Sequence, residues 1–293
     1  MKLKELEYRR FGQGWLLAPK KSIHLPARIA TFGWNSVDLG NHSLRIEKHA
    51  KHSAGHHKDI SVHVIGIVMD VQDFGLDEPE ICAQLAETLK RSGWSALYER
   101  LMPLAGAFVL FIRHQGHISV ILDAVGSVPA YYDVDRGNFV ASHPQLVAKA
   151  IGSAESDVAK AWRDHPALGR GGAYMPGLLT EFTGVELITP NHRFSLKDKR
   201  MVRFYPTRDL PQLSADEIAE RIAPMLSGQL IKLANSYRLA ISLSGGVDTR
   251  LTLAASRAVS SSATYFTYFT KQGILATDRE VASELATFGA SPY

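Results

Sequence analysis

The sequence predicts two domains of different class: an α+β domain over residues 1–211 and part of an α/β parallel-sheet domain over residues 212–293. A chain of 293 residues favours about two domains, because a domain typically takes roughly 150 residues. Hydrophobic residues make up 45% of the chain and charged residues 21%, which excludes a disordered polypeptide. Hairpin patterns give way to alternating strand and helix patterns near Ser214, which places the boundary.

The first domain is predicted to consist mainly of antiparallel strands. Residues 60–70 are nearly all aliphatic or β-branched, as is typical of a buried strand. Turn residues separate three further pairs of strands, predicted at 107–113 with 117–123, 131–133 with 138–142, and 193–196 with 201–205. Apolar residues at helical spacing predict helices at 80–89, 95–101, 144–151 and 156–162. Residues 165–177 show no period and predict a loop.

The second domain is predicted to begin with a helix. Ser214–Glu217 has the form of a capping box, and Pro224 is expected to kink the helix or delay its start. A strand at 238–243, a helix at 250–259, a strand at 263–270 and a helix at 278–288 follow. Alternation of this kind predicts parallel strands joined by crossover helices.

The segment Ser244–Thr249 joins the first of these strands to a helix and carries the strongest chemical signal. Adjacent glycines at 245 and 246 let the backbone turn tightly and let an anion approach its amides. The helix start adds unpaired N–H groups and a partial positive charge. Ser244 and Thr249 add hydroxyl groups, so the segment is predicted to bind phosphate.

Asp248 indicates which phosphate ligand this loop would take. A carboxylate at the mouth of a phosphate loop repels a bare polyphosphate unless a divalent cation lies between them, which favours Mg²⁺ with ATP. The segment is neither a Walker A loop nor the dinucleotide fingerprint, because neither spacing is present. A Ser-Gly-Gly turn without function is the alternative.

Three other features of the sequence are candidates for a functional or structural role. Two interpretations of a histidine-rich segment are open, a metal site and a solvated loop, and the loop is favoured because Gly55 interrupts the helical spacing. The histidines of this segment are His42, His49, His52, His56, His57 and His63. Cys82 is expected to be a packed core thiol, and Asp123 is expected to position a loop by hydrogen bonding.

Charge, hydropathy and cysteine content bear on partners and location. Six basic and two acidic residues within positions 1–21 account for the whole net charge of +4, so nucleic acid is not an expected partner. No apolar run approaches the roughly 18 residues of a membrane span. The start of the chain lacks a signal core, and the single cysteine excludes an intramolecular disulfide. We therefore expect a cytoplasmic protein with small-molecule substrates.

Ser244–Thr249 resembles the pyrophosphate loop of the N-type ATP pyrophosphatases, Ser-Gly-Gly-x-Asp-Ser, with Thr249 keeping the final hydroxyl. Segments that resemble the glutaminase domain of asparagine synthetases lie at 104–108, 123–132, 139–142 and 184–191. Segments that resemble the entry to the synthetase domain and its acidic helix lie at 203–205, 278–282 and 284–286. Over about residues 60–290, the chain is similar to the asparagine synthetase-like family.

The resemblance implies a fold and an activity. The fold is an αββα sandwich of the N-terminal nucleophile hydrolase type, followed by the first part of a Rossmann-like ATP pyrophosphatase domain. The activity is adenylation of a carboxylate, such as that of aspartate, with release of pyrophosphate, followed by attack of an amine or ammonia and release of AMP. The residues implied to bind the ATP pyrophosphate are Ser244, Gly245, Gly246, Val247, Asp248 and Thr249. Asp248 would hold Mg²⁺, and Leu243 and Tyr268 would line the adenine site.

Two departures from the family pattern limit this interpretation. Lys2 stands where glutamine-using relatives carry a cysteine nucleophile, so glutaminase activity is expected to be absent. Relatives without that cysteine include β-lactam synthetases and lasso-peptide cyclases. The chain ends at Tyr293 after about two strands of the synthetase domain, so it is expected to be a fragment or a truncated product that is inactive alone. No catalytic residue is assigned within it.

Other functions and the oligomeric state are left open. The chain could be another pyrophosphate-loop enzyme, for example one that adenylates a tRNA base, although the glutaminase-like segments argue against this. It could also be a non-catalytic nucleotide-binding remnant of such an enzyme. A homodimer is a further option that the sequence does not decide.

Overall fold

A computed structural model describes residues 11–21, 33–166, 175–268 and 276–289. The chain divides into two compact units. The first comprises Met1–Asp70 and Leu76–Asp209, and the second comprises Val71–Gly75 and Leu210–Tyr293. Among the described residues, no helix is long and apolar enough to cross a membrane.

The described part of the first unit contains two six-stranded antiparallel sheets. The strands are β1 (Trp15–Pro19), β2 (Asn35–Leu39), β3 (His42–Ile46), β4 (His52–His57), β5 (Ile60–Asp70), β6 (Leu104–His114), β7 (His117–Leu122), β8 (Tyr131–Asp133), β9 (Val140–Ala141), β10 (Val185–Leu187), β11 (His192–Ser195) and β12 (Arg200–Arg203). The first sheet has the order β10-β8-β9-β1-β3-β2 and the second has the order β12-β11-β7-β6-β5-β4. The predicted antiparallel α+β class is confirmed, and β1 to β4 are strands that the sequence did not predict.

The two sheets pack face to face, with helices on their outer faces. Trp15, Phe111 and Phe194 lie in the core between the sheets, where Trp15 meets Phe111 edge to face at 4.9 Å between ring centroids. Helix α1 (Glu78–Leu101) packs on the outer face of the second sheet, and α2 (Pro144–Ile151) packs on that of the first. A short helix, α3 (Asp157–Arg163), follows α2. The unit therefore has four layers in the order αββα.

Helix α1 consists of two helical halves that meet at a kink, in agreement with the two predicted helices. It begins with a capping box between Asp77 and Glu80 and ends at Leu101. Gly93 interrupts it with φ 75° and ψ −171°, a conformation that favours glycine. The predicted helices at 80–89 and 95–101 are thus the two halves of one helix on either side of this break.

The histidine-rich segment is a strand rather than the predicted solvated loop. His52–His57 forms β4, which pairs antiparallel with β5. Gly55 permits this packing against α1, because a Cβ there would lie 2.3 Å from the backbone nitrogen of Ala83. The Nε2 atom of His52 lies 3.3 Å from Nδ1 of the buried His63. No three His, Cys, Asp or Glu side chains come together as metal ligands anywhere in the described ranges.

Two buried carboxylates organise turns at the ends of strands. Asp123 accepts hydrogen bonds from four backbone amides at 3.0–3.2 Å, as predicted for a loop-positioning residue. Asp133 does the same for the turn between β8 and β9, accepting from the amides of residues 136, 137, 138 and 139 at 2.7–3.0 Å. Both side chains are almost fully buried, so the amides replace the water that each carboxylate loses on folding.

The described part of the second unit contains helices and one pair of parallel strands. The elements are α4 (Ala215–Ala234), β13 (Ala240–Ser242), α5 (Val247–Ala255), a 3₁₀ helix (Arg257–Ser262), β14 (Thr264–Phe266) and α6 (Ala276–Gly289). Strands β13 and β14 pair in parallel, as the alternating pattern predicts. Of the two effects expected of Pro224, a kink or a delayed start, the delayed start is wrong, because α4 begins at Ala215 behind the Ser214 cap and includes Pro224.

The Asp133 turn yields a prediction about stability. In the original chain, each carboxylate oxygen of Asp133 accepts from two backbone amides. Asp133→Asn replaces one of these oxygens with an NH₂ group, which is itself a donor and cannot accept from them. We expect the free energy of unfolding in urea to fall by about 3 kcal/mol. The neighbouring Asp135 is exposed, and Asp135→Asn is expected to change stability by less than about 0.5 kcal/mol. Equal effects of the two substitutions would contradict the assigned role of Asp133.

Burial of His63 predicts a pH dependence of stability. Burial, with smaller contributions from His52 and His56, lowers the pKa of His63 to about 4. The unfolded chain takes up a proton at this histidine near pH 6.5, whereas the folded chain does so only near pH 4. Stability is therefore lost as the pH falls from 6.5 towards 4, by at most about 3 kcal/mol from this group.

Urea unfolding of the protein and of His63→Gln across this pH range measures the contribution. We expect the difference in unfolding free energy between the two proteins to change over the window. A substitution at the exposed His117, His117→Gln, serves as the matched control and is expected to keep the pH dependence of the original chain. A difference between protein and His63→Gln that stays constant with pH would refute the assignment.

Candidate functional site

The segment Ser244–Thr249 lies where β13 ends and α5 begins, at the carboxyl end of the two parallel strands. Leu243, directly after β13, donates its N–H to the Phe266 carbonyl at 2.8 Å and accepts from the Thr267 hydroxyl. These bonds hold the ends of the two strands side by side. Ligands of open parallel sheets bind outside this end of the strands. The fold thus presents the segment at the edge where a ligand is expected.

Two hydroxyl groups shape the loop from within. The Ser244 N–H donates to Oγ1 of Thr249 at 3.1 Å, and the Gly246 N–H donates to Oγ of Ser244 at 3.2 Å. Oγ1 of Thr249 also lies within hydrogen-bond distance of the carbonyls of residues 244 and 246. The hydroxyl of Thr249 therefore links the start of the loop to the first turn of α5.

The start of α5 is open to an anion. Gly246 is the N-cap, and no side chain within the described residues caps this helix. The first N–H groups of a helix have no partner inside the helix and carry its partial positive charge. Val247 is 70% exposed and Asp248 is also exposed, so this end of the helix faces solvent. A phosphate can reach these amides, and Asp248 can reach a cation beside it.

The glycines leave little room for side chains. A Cβ on Gly245 would lie 3.0 Å from Oδ1 of Asp278, and one on Gly246 would lie 3.3 Å from Oγ of Ser244.

Exposed amides, hydroxyls and a carboxylate are together the groups that magnesium-bound polyphosphate needs. The residues present therefore fit Mg²⁺ with ATP.

One contact of the loop has no counterpart in the sequence patterns. The Gly245 N–H donates to Oδ1 of Asp278, in the first turn of α6, at 3.1 Å. The sequence marked Asp278 only as part of an acidic helix. The two residues are separated by 33 positions, so no local pattern could have joined them. This contact joins the loop directly to the first turn of α6.

The two residues predicted to line an adenine site, Leu243 and Tyr268, differ in how much of their surface is exposed to solvent. Leu243 is 2% exposed, and its N–H is already bonded within the sheet. Tyr268 is 72% exposed, and its ring stands edge-on to Phe266 at 5.2 Å between centroids. Of the two, only Tyr268 offers a large accessible surface, and the adenine site stays a prediction.

Cys82 lies in the first unit and shows no sign of reactivity. Its side chain is fully buried against the second sheet. Burial raises the pKa of its thiol to about 12, with smaller contributions from Glu78 and Asp77. A thiol with this pKa stays protonated at neutral pH and is a poor nucleophile. The structure supports the expected packed core thiol.

The hydroxyl of Thr249 yields a prediction about local opening. Thr249→Val keeps the shape of the side chain but leaves the Ser244 N–H without its acceptor. We expect hydrogen exchange of the Ser244 amide to speed up about tenfold, equivalent to roughly 1.4 kcal/mol of local stability. Thr249→Ser, the matched control, keeps the hydroxyl and is expected to leave the rate within about threefold. Unchanged exchange in Thr249→Val would show that the hydroxyl does not hold the loop.

Among known proteins, this chain shows only a weak similarity to solved structures. No model of a protein family matches the sequence, and no curated protein matches it. One similar solved structure is described as the allosteric regulatory enzyme of purine biosynthesis, with a TM-score of 0.38, 14% identity, and coverage of 95% of this chain and 65% of that one. Another is glutamine phosphoribosylpyrophosphate amidotransferase from B. subtilis with ADP and GMP, with a TM-score of 0.37, 13% identity, and coverage of 90% and 61%. The chain thus spans less than two thirds of either structure.

Proposed function

We propose that this chain belongs to an ATP-dependent, amide-bond-forming ligase of the asparagine synthetase type. The observation that carries the proposal is the Ser244–Thr249 loop, which leads from a parallel strand into an uncapped, exposed helix start. Asp248 lies in the first turn of that helix and is exposed to solvent. The second unit would be the first part of a Rossmann-like ATP pyrophosphatase domain.

The residues of the loop would divide the work of holding the nucleotide. The amides at the start of α5 and the hydroxyls of Ser244 and Thr249 would donate to the pyrophosphate part of ATP. Asp248 would bind Mg²⁺, and Tyr268 would offer its ring to the adenine. When bound, Mg²⁺ with ATP supplies the adenylyl group that makes a carboxylate reactive, and pyrophosphate is released. An amine or ammonia then forms the amide and releases AMP.

The first unit would be a glutaminase-like domain that no longer hydrolyses glutamine. Its four-layer αββα arrangement supports the glutaminase-like part of this proposal. The nitrogen would then come from ammonia or from an amine of the substrate itself. If the amine belongs to the substrate itself, the reaction closes a ring. The second candidate function is therefore a ring-closing ligase similar to β-lactam synthetases or lasso-peptide cyclases.

Calorimetric titration of the full chain tests the nucleotide site. We expect ATP with Mg²⁺ to bind at least tenfold more tightly than AMP, because only ATP carries the phosphates that the loop would hold. Asp248→Asn is expected to weaken binding about tenfold in the presence of Mg²⁺. When EDTA removes the metal, the same substitution is expected to tighten binding, because it removes a negative charge that repels the bare polyphosphate.

A carboxylate elsewhere in the second unit provides the control. Asp216 also lies in the first turn of a helix, α4, and Asp216→Asn is expected to leave ATP binding unchanged. Absence of ATP binding by the original chain would contradict the proposal. Equal affinities of the chain and Asp248→Asn with Mg²⁺ would also contradict it, because the loop carboxylate would then have no part in holding the metal.

A further inference from the structure

The hydrogen bond between Gly245 and Asp278 places a charged acceptor on an amide of the phosphate loop. Oδ1 of Asp278 lies 3.1 Å from the Gly245 nitrogen, and a Cβ placed on this glycine would lie 3.6 Å from Cβ of Val281 in the same helix. An ionised carboxylate on a backbone N–H makes the same kind of charge-assisted bond as a phosphate oxygen does. The loop therefore already holds an anion that belongs to the chain.

Asp278 differs from the other groups that bond the loop amides. The acceptors for Ser244 and Gly246 are hydroxyl groups within the loop, at 3.1 and 3.2 Å. A hydroxyl is neutral and can donate as well as accept, so it can turn towards an incoming phosphate. A carboxylate only accepts, and its charge repels a phosphate that approaches the same N–H.

We propose that Asp278 is an internal competitor for the phosphate and that the nucleotide binds the loop only when this carboxylate gives up the Gly245 amide. The inference rests on the proposed function and adds a regulatory element to the same site. A protein whose binding-competent state is a minor fraction binds its ligand more weakly by that fraction. Breaking the contact therefore raises affinity without adding any bond to the nucleotide.

Two substitutions at position 278 separate the charge from the hydrogen bond. Asp278→Asn keeps an oxygen that can accept from Gly245 but removes the charge, whereas Asp278→Ala removes both. We expect the dissociation constant for ATP with Mg²⁺ to fall about tenfold in Asp278→Ala and by a smaller factor in Asp278→Asn, and the same order for inorganic pyrophosphate with Mg²⁺. Glu280→Gln removes one negative charge from an exposed position of the same helix and is expected to leave both constants unchanged.

The possible results distinguish this inference from the proposed function. Tighter binding in both Asp278 variants than in the original chain supports competition. Unchanged binding overturns it, and so does weaker binding, since Asp278 would then help to hold the ligand or its metal. If Glu280→Gln tightened binding as much as the Asp278 variants do, the effect would come from the overall charge of the helix, and the proposed competition would also be overturned. If neither the chain nor any variant binds, the proposed function itself fails.

Discussion

Backbone N–H groups need acceptors wherever the chain leaves a regular element, and this need governs both units. In the first unit, Asp123 and Asp133 each satisfy four amides with one buried carboxylate. In the second unit, hydroxyls and one carboxylate satisfy the amides of residues 244–246, and the helix start beyond them faces solvent. The buried turns are closed to solvent, whereas the loop lies at an exposed helix start, where the proposed ligand would replace its internal acceptors.

Elements with a strong local pattern could be predicted from the sequence. Helix α2 occupies residues 144–151 as predicted, since its apolar residues follow helical spacing and Pro144 begins it. The β6–β7 hairpin was recognised from two apolar runs across a short turn. Strand β4 could not be recognised, because its small and histidine residues have no hydrophobic alternation. That strand exists through packing against β5 and α1, and such contacts between distant residues leave little local signal.

In the candidate site, too, some features could be predicted from local sequence and others depend on contacts between distant residues. The Ser244–Thr249 motif could be recognised because its residue types are adjacent in sequence and lie between a strand and a helix. The partner of Gly245 could not, since Asp278 reaches it through the fold. Likewise, the Leu243 N–H is already bonded to the Phe266 carbonyl, a pairing between strands that no local pattern reveals. Sequence therefore indicates which groups a site contains, and tertiary packing decides which of them are accessible.

In the proposed function, the amides at the start of α5 receive the phosphates of a nucleotide. Amide chemical shifts of isotope-labelled protein during addition of ATP with Mg²⁺, compared with AMP under the same conditions, test it most directly. We expect ATP to cause its largest changes at residues 245–249 and AMP to leave these amides nearly unaffected. Equal changes with both nucleotides, or ATP-induced changes confined to other parts of the chain, would contradict it.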